Sequence, residues 1–446
     1  MSASHVDSSG PAPENFSHGN SAGPNDRAKK PSGSAFSALG KLAGPIFFPL
    51  ALVARLPLGM LTIGSITFVV STTGSYTAGG IAAALVGIGS AVGSPLSGAI
   101  TDARGQRGVL LALAVLHVVS LALLLVFGFQ EGAAFTASGT TVATPWMTWL
   151  ASLLAGATCA QVGPMSRSRW VGLTNGRVTQ GRELNVALGY ESTADEITFA
   201  LGPAIVGLVA ALVTPWMPLV ISGAITAILV PAFALHRTAL AAPRRQKGQM
   251  AAAWTTRQAL GISLATITMM GLGTIFGSTA SGTLAFADHM GIPSGGGLIY
   301  AALGSISAVT ALSVVAWPAS FKLTSRWLAA AIVLVPATLF LQFAHSVPLV
   351  LIALACIGLP IGPILVTMFA FGNTMTPHGR LGFVMGLLAS GITIGTSIGN
   401  SLAGFFADTS GYEASYQIAL VAAIVILAAA AAGVVISGKY RRKEHA

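Results

Sequence analysis

Charge is scarce in this chain. Only 8% of its 446 residues are Asp, Glu, Lys or Arg, against 53% hydrophobic. Soluble domains carry about 25% charged residues, so the polar surface that would cover a water-soluble globule of this size is missing. A soluble enzyme is excluded. Cysteine is scarce too: Cys159 and Cys356 alone staple nothing, which excludes a disulfide-built scaffold and leaves two thiols in apolar surroundings. Zinc-like Cys/His spacings, a Walker loop, a Ser-His-Asp order and a dinucleotide fingerprint are all lacking. The Gly295–Gly297 run precedes no Lys-Ser/Thr, so an ATP-driven pump is disfavoured. Neither a metal nor a cofactor is expected, and no enzymatic activity.

Long apolar runs are what the chain has in quantity, and the mean hydropathy is +0.77. Polar and Gly/Pro breaks divide them into twelve candidate spans, at 45–70, 77–100, 108–129, 146–165, 187–212, 216–236, 258–284, 297–319, 327–344, 347–370, 380–407 and 414–437. Each is long enough to cross a bilayer as a helix. The fold class expected is an all-α polytopic membrane protein. Residues 1–43, rich in Ser, Gly, Pro and Asn, read as a disordered tail without a cleaved signal peptide. A basic linker at 237–257 divides the spans six and six, giving bundles at 44–236 and 258–437 and a basic tail at 438–446.

The net charge of +10 is a topology signal rather than a nucleic-acid footprint. Apart from Arg55, every Lys and Arg falls in a tail or an even-numbered connection. The opposite loops carry Glu131, Asp288, Asp408 and Glu413. The positive-inside rule places both termini in the cytoplasm of a plasma-membrane protein. On that topology Trp146, Trp149 and Trp216 lie at outer helix ends and Trp170, Trp254, Trp317 and Trp327 at inner ends, as interfacial anchors do.

One motif is sharp: Gly98-Ala-Ile-Thr-Asp102-Ala-Arg-Gly105-Gln-Arg107-Gly-Val-Leu110, between the second and third spans. It resembles motif A of the major facilitator superfamily, roughly G-x-L-x-D-x-x-G-R-[RK]-x-x-L, with Ile100 in place of Leu and Gln106 where an Arg is common. The resemblance extends over 45–437 and is to bacterial, exporter-like members. It implies two six-helix bundles with a substrate path between them, alternating access, and a gate latch of Asp102 and Arg107 that stabilises an outward-open state.

Glu191, Asp195 and Glu196 open the fifth span. An isolated charge in the bilayer costs at least about 2.5–3.5 kcal/mol, so three carboxylates within six residues need partners, protons or water. Glu191 and Asp195 share a helix face, and Glu196 points about 100° away. Glu191 reads as an interfacial acid; for Asp195 and Glu196, proton coupling and a static structural role both stay open. Arg55 is the expected partner, as the one basic residue inside a span. It lies roughly 15 Å into the first span, and Asp195 and Glu196 roughly 12–14 Å into the fifth. The resemblance makes those two helices neighbours.

Gly202, Pro203 and Gly207 resemble the G-P-x-x-G core of motif C of exporters, with the last Gly one position late and Thr198 where the first Gly belongs. Motif B of proton antiporters, an Arg ahead of a Gly in the fourth span, is absent: Ser152 stands four residues before Gly156. Gln161, Gln342, Asn373 and Asn400 are candidates to line the path, and His117 reads as a helix-packed histidine or, alternatively, a proton relay.

The expectation is a monomeric secondary transporter, driven by the proton gradient and held in membrane lipid, that exports a small, rather apolar organic molecule. Proton-coupled uptake of a sugar or organic acid uses the same residues. A non-transporting sensor or lipid-handling protein is the alternative of another class.

Overall fold

The apolar runs fold as helices, and no strand occurs among the described residues. The computed structural model describes residues 35–138, 145–177, 180–245, 250–292, 296–318 and 320–444. In chain order the first half comprises α1 (Ala35–Ala43), α2 (Phe47–Val53), α3 (Leu56–Thr73), α4 (Tyr76–Arg104), α5 (Gln106–Ser138), α6 (Trp146–Thr158), α7 (Val162–Thr174), α8 (Gln180–Leu212) and α9 (Met217–Leu235). The second half comprises α10 (Thr256–His289), α11 (Gly296–Ser313), α12 (Leu323–Leu341), α13 (Val347–Met375), α14 (Leu381–Ser410) and α15 (Tyr412–Glu444).

Local chemistry sets the ends. Ser75 accepts from the Ala78 amide at the start of α4, and Thr255 and Gln258 form a capping box on α10. Gly105, at φ +83°, closes α4 and lets α5 begin one residue later, a turn that L residues adopt only under strain.

Eleven helices among the described residues are long and apolar enough to cross a membrane, rather than twelve. The exception is the expected span 146–165. There the chain breaks at Cys159–Gln161 into α6 and α7, each 13 residues long. The tails are also more ordered than expected. Residues 35–43 form α1, whose Leu39 and Ala43 are buried and which packs on α8, while residues 1–34 lie outside the described part. At the other end α15 carries helix through Glu444. In the expected linker, residues 237–240 form a turn of 3-10 helix and 246–249 lie outside the described residues.

The chain alternates direction so that the Arg-rich helix ends share one face. Across it the Arg245 amide donates to the Asp102 carbonyl at 2.7 Å and the Ala252 amide to the His378 carbonyl at 3.2 Å. We call this the basic face. At the other end Glu131 accepts from the Met147 and Thr148 amides and so caps α6. Leu116, Val126, Leu154, Leu208 and Val425 point outward from the helix perimeter, as lipid-facing side chains do. The halves meet along α4 with α14 and along α8 with α11 and α13.

Two of the tryptophans expected as interfacial anchors are core residues instead: Trp170 and Trp327 are wholly buried. Trp146 is exposed at its helix end, and the Trp149 indole donates to the Ala78 carbonyl at 3.2 Å.

Candidate functional site

Small residues bring α3 and α8 together. A methyl group on Gly202 would lie 2.5–2.8 Å from the Gly59 backbone, and one on Gly59 would lie 2.7 Å from the Thr198 carbonyl oxygen. Both distances are shorter than real contacts allow, so the two glycines set the approach of the helices. Gly207, the other glycine of the motif C-like segment, has nothing near it. Pro203 lies inside α8, where its ring removes one backbone donor.

One turn from that contact lies a buried charge network. Arg55 stands at the break between α2 and α3. Its Nη1 donates to Asp195 Oδ1 at 3.1 Å and to the Glu191 carbonyl at 3.2 Å, and its Nη2 pairs with Glu191 Oε2. Arg167, on α7, donates through Nη2 to Asp195 Oδ2 at 2.7 Å. Glu191 Oε1 accepts from the Ser166 hydroxyl and from the Trp170 indole, each at 2.7 Å. Two guanidinium groups thus face two carboxylates, and the network is neutral in its ionised form. A methyl group on Gly163 would lie 3.0 Å from Asp195 Oδ1 and 3.2 Å from Arg167 Nη1, so a glycine keeps room there.

Exposure separates the members. Arg55, Arg167 and Glu191 are 3%, 1% and 0% exposed, and Asp195 is 27% exposed. Glu191 has both oxygens occupied and no solvent contact. Asp195 bonds two different helices and still reaches open space.

These positions revise the sequence reading at four points. Of the two acids expected for Arg55, Asp195 is its partner and Glu196 is not, and Glu191 joins as a second partner. Glu191 is not interfacial, because α8 begins at Gln180 and places it about three turns inside the helix. Arg55 is not alone among buried basic groups: Arg167 and Arg169 are buried as well. Glu196 faces the other half, where its Oε1 accepts from Ser307 Oγ of α11 at 2.9 Å.

Arg167 reaches the second half too. Its guanidinium carbon lies 3.7 Å from the centre of the Phe369 ring on α13, within cation–π range. Its Nε and Nη1 are buried without a hydrogen-bond partner.

The motif A residues form a second junction between the halves. Asp102 accepts from the Gly382 amide at 2.7 Å and from the Phe383 amide at 2.9 Å, at the N-terminus of α14. Those amides have no partner within the helix, and the helix dipole favours a carboxylate there. Gly98 permits the approach, since a methyl group on it would lie 2.1 Å from the Gly382 carbonyl oxygen. The expected Asp102–Arg107 latch is not what forms. Arg107 Nη2 points at the Leu235 carbonyl, at 3.5 Å, within its own half. Gln106, which stands where motif A commonly has Arg, accepts from Arg169 Nε at 2.8 Å and donates to the Met165 carbonyl at 3.0 Å. The charge that motif A lacks at 106 is therefore supplied from α7.

The remaining expected residues are scattered. Ser152 Oγ bonds the Thr148 carbonyl within its helix, and Gln161 lies buried at the α6–α7 break. Gln342 Nε2 bonds the Thr338 carbonyl, and Asn400 accepts from Ser281. Asn373 lines a cavity at the basic face. His117 Nδ1 lies 2.9 Å from the Ala155 carbonyl and joins α5 to α6.

No protein-family profile matches the chain, and no curated protein matches it in sequence. Solved structures do match. The human organic anion transporter MFSD10 superposes with a TM-score of 0.57 at 16% identity, covering 86% of this chain and 97% of that one. A bacterial homologue of the iron transporter ferroportin, in its outward-facing state, gives 0.61 at 15% identity, covering 87% and 98%. The nucleoside transporter NupG gives 0.55 at 15% identity, also covering 87% and 98%. The helix order, the paired halves and these superpositions together establish that the chain has the fold of the major facilitator superfamily transporters.

Proposed function

We propose that this protein is a proton-coupled secondary transporter that exports a small, rather apolar organic molecule by alternating access, with Asp195 as the group that takes up and releases the proton. The observation that carries the reading is the position of Asp195: it bridges Arg55 and Arg167 and is the one member of the network open to solvent.

A proton on Asp195 removes one of the two negative charges that hold two buried guanidinium groups. Leaving a buried charge without its partner costs about 3–5 kcal/mol, so Arg167 must find another arrangement. Because Arg167 also stacks on Phe369 of the opposite half, that rearrangement reaches the contact between the halves. Glu191, with both oxygens bonded, keeps Arg55 in place through the cycle. Glu196, bonded to Ser307 across the same seam, is the second carboxylate that senses the relative position of the halves.

The Asp102 junction closes the seam between α4 and α14 at the basic face in this conformation. With the basic face in the cytoplasm, this is an outward-facing arrangement in the plasma membrane, with both termini inside. The three structural neighbours handle an organic anion, iron and nucleosides, so the fold alone does not select a substrate. The neutral network is what supports a substrate without a large net charge. The motif C-like contact of Gly202 with Gly59 supports export.

A substrate panel in inverted membrane vesicles, with and without an imposed pH gradient, tests the reading. Accumulation driven by interior acid is expected. Accumulation driven only by the opposite gradient would make the protein an importer, and indifference to the gradient would end the proton mechanism.

A further inference from the structure

A cavity of about 820 Å³ opens at the basic face, away from the charge network. Its walls come from both halves: the start of α8, the start of α10, the connection from α11 to α12, and the end of α13. The volume lies within the roughly 300–1,000 Å³ of small-molecule sites.

The lining is one-signed. Arg182, Arg257, Lys322 and Arg326 contribute to it, and no Asp or Glu does. Among the described residues none of Arg182, Lys322 and Arg326 forms an ion pair. Arg326 is the informative member. It is 3% exposed, and its Nε and Nη2 donate to the Phe321 and Pro318 carbonyls at 2.7 and 3.0 Å. Backbone carbonyls orient a guanidinium without cancelling its charge, and a buried uncancelled cation asks for an anion. The first turn of α12 adds its amides, since its N-cap Lys322 makes no side-chain cap bond.

The rest of the wall is apolar. Trp317 and Phe321 stack at 5.3 Å beside Arg326, and the buried Phe371 of α13 lies opposite. Cationic groups at the ends of membrane-spanning helices stand at headgroup depth, and the apolar wall continues towards the hydrocarbon. A small soluble anion would use the first feature and waste the second.

We propose that this cleft binds the headgroup of an anionic phospholipid, with its phosphate among Arg182, Lys322 and Arg326 and an acyl chain along the Trp317–Phe371 wall. Because α8 belongs to one half and α12 and α13 to the other, the lipid bridges the halves and favours the conformation in which the basic face is closed.

The test uses the full chain in detergent, with lipid retention read by native mass spectrometry during titration with phosphatidylglycerol or phosphatidylcholine. Wild type is expected to retain phosphatidylglycerol saturably. The exposed pair Arg182→Gln/Lys322→Gln should weaken retention about thirtyfold, at about 1 kcal/mol per basic residue. The charge-keeping pair Arg182→Lys/Lys322→Arg should restore it, and Lys41→Gln, on α1 outside the cleft, should leave it unchanged. Equal retention of the zwitterionic lipid, equal retention by the double Gln variant, or loss of the Lys→Arg rescue in a correctly folded protein would overturn the proposal. Full displacement of the lipid by millimolar inorganic phosphate would do so as well, and would make the cleft a soluble-anion site.

Discussion

Asp195 lies between two arginines, with Arg55 3.1 Å from one carboxylate oxygen and Arg167 2.7 Å from the other. One arginine stands at the α2–α3 break and the other on α7, and the latter also touches the opposite half. Through Arg167 alone, the carboxylate is connected to the packing between the halves.

Neutralising either acid should have different consequences. Glu191→Gln leaves Arg55 facing a weaker partner in a fully buried place, a loss of about 3–5 kcal/mol, and should lower the unfolding temperature in detergent markedly. Asp195→Asn disturbs a partly exposed group, so its cost should be clearly smaller. Thermal unfolding of the two variants side by side checks the order; a less stable Asn variant would refute the division of roles.

The glycine contact between α3 and α8 predicts a contrast within one motif. Gly202→Val should force the helices apart, move Arg55 out of reach of Asp195 and lower both stability and transport. Gly207→Ala meets open space and should stay within about 0.5 kcal/mol of wild type. Expression, unfolding temperature and flux measured together would expose an error if the two behaved alike.

Asp102→Asn loses charge at the N-terminus of α14, and one of the two amides there faces a donor instead of an acceptor. Hydrogen bonds to charged groups contribute about 1.5–3 kcal/mol each, enough to change which face is closed. Spin-label distances across the basic face, between α4 and α14, should lengthen in the variant. Unchanged distances would remove Asp102 from the gate.

Gln106→Ala takes from the buried Arg169 its one side-chain acceptor on α5 and should cost about 1–3 kcal/mol. Gln106→Glu keeps the acceptor and adds a charge that Arg169 can pair, at the loss of the donor to the Met165 carbonyl, and should cost less than Gln106→Ala. Chemical unfolding of the pair measures the difference.

The helical architecture was legible in the sequence because apolar runs and loop charges report it directly. Arg55 and Asp195 were legible for a related reason: charge inside an apolar run is costly enough to demand a partner. Arg167 was not. The chain breaks at Cys159–Gln161, and the stretch Ser166-Arg167-Ser168-Arg169 that follows has the polarity of a loop while folding as the buried helix α7. Depth failed for Glu191 because its helix starts seven residues before the apolar run, at Gln180 rather than 187. The partner of Asp102 was hidden for another reason. It is a pair of backbone amides 280 and 281 residues away, and side-chain patterning carries no record of them.

The most direct measurement is substrate-induced proton flux in pyranine-loaded proteoliposomes, comparing wild type, Asp195→Asn and Glu196→Gln. The account predicts that Asp195→Asn still equilibrates substrate across the membrane but moves no protons with it and cannot concentrate substrate against a gradient. Proton flux through Asp195→Asn equal to that of wild type, at equal substrate flux, would contradict it.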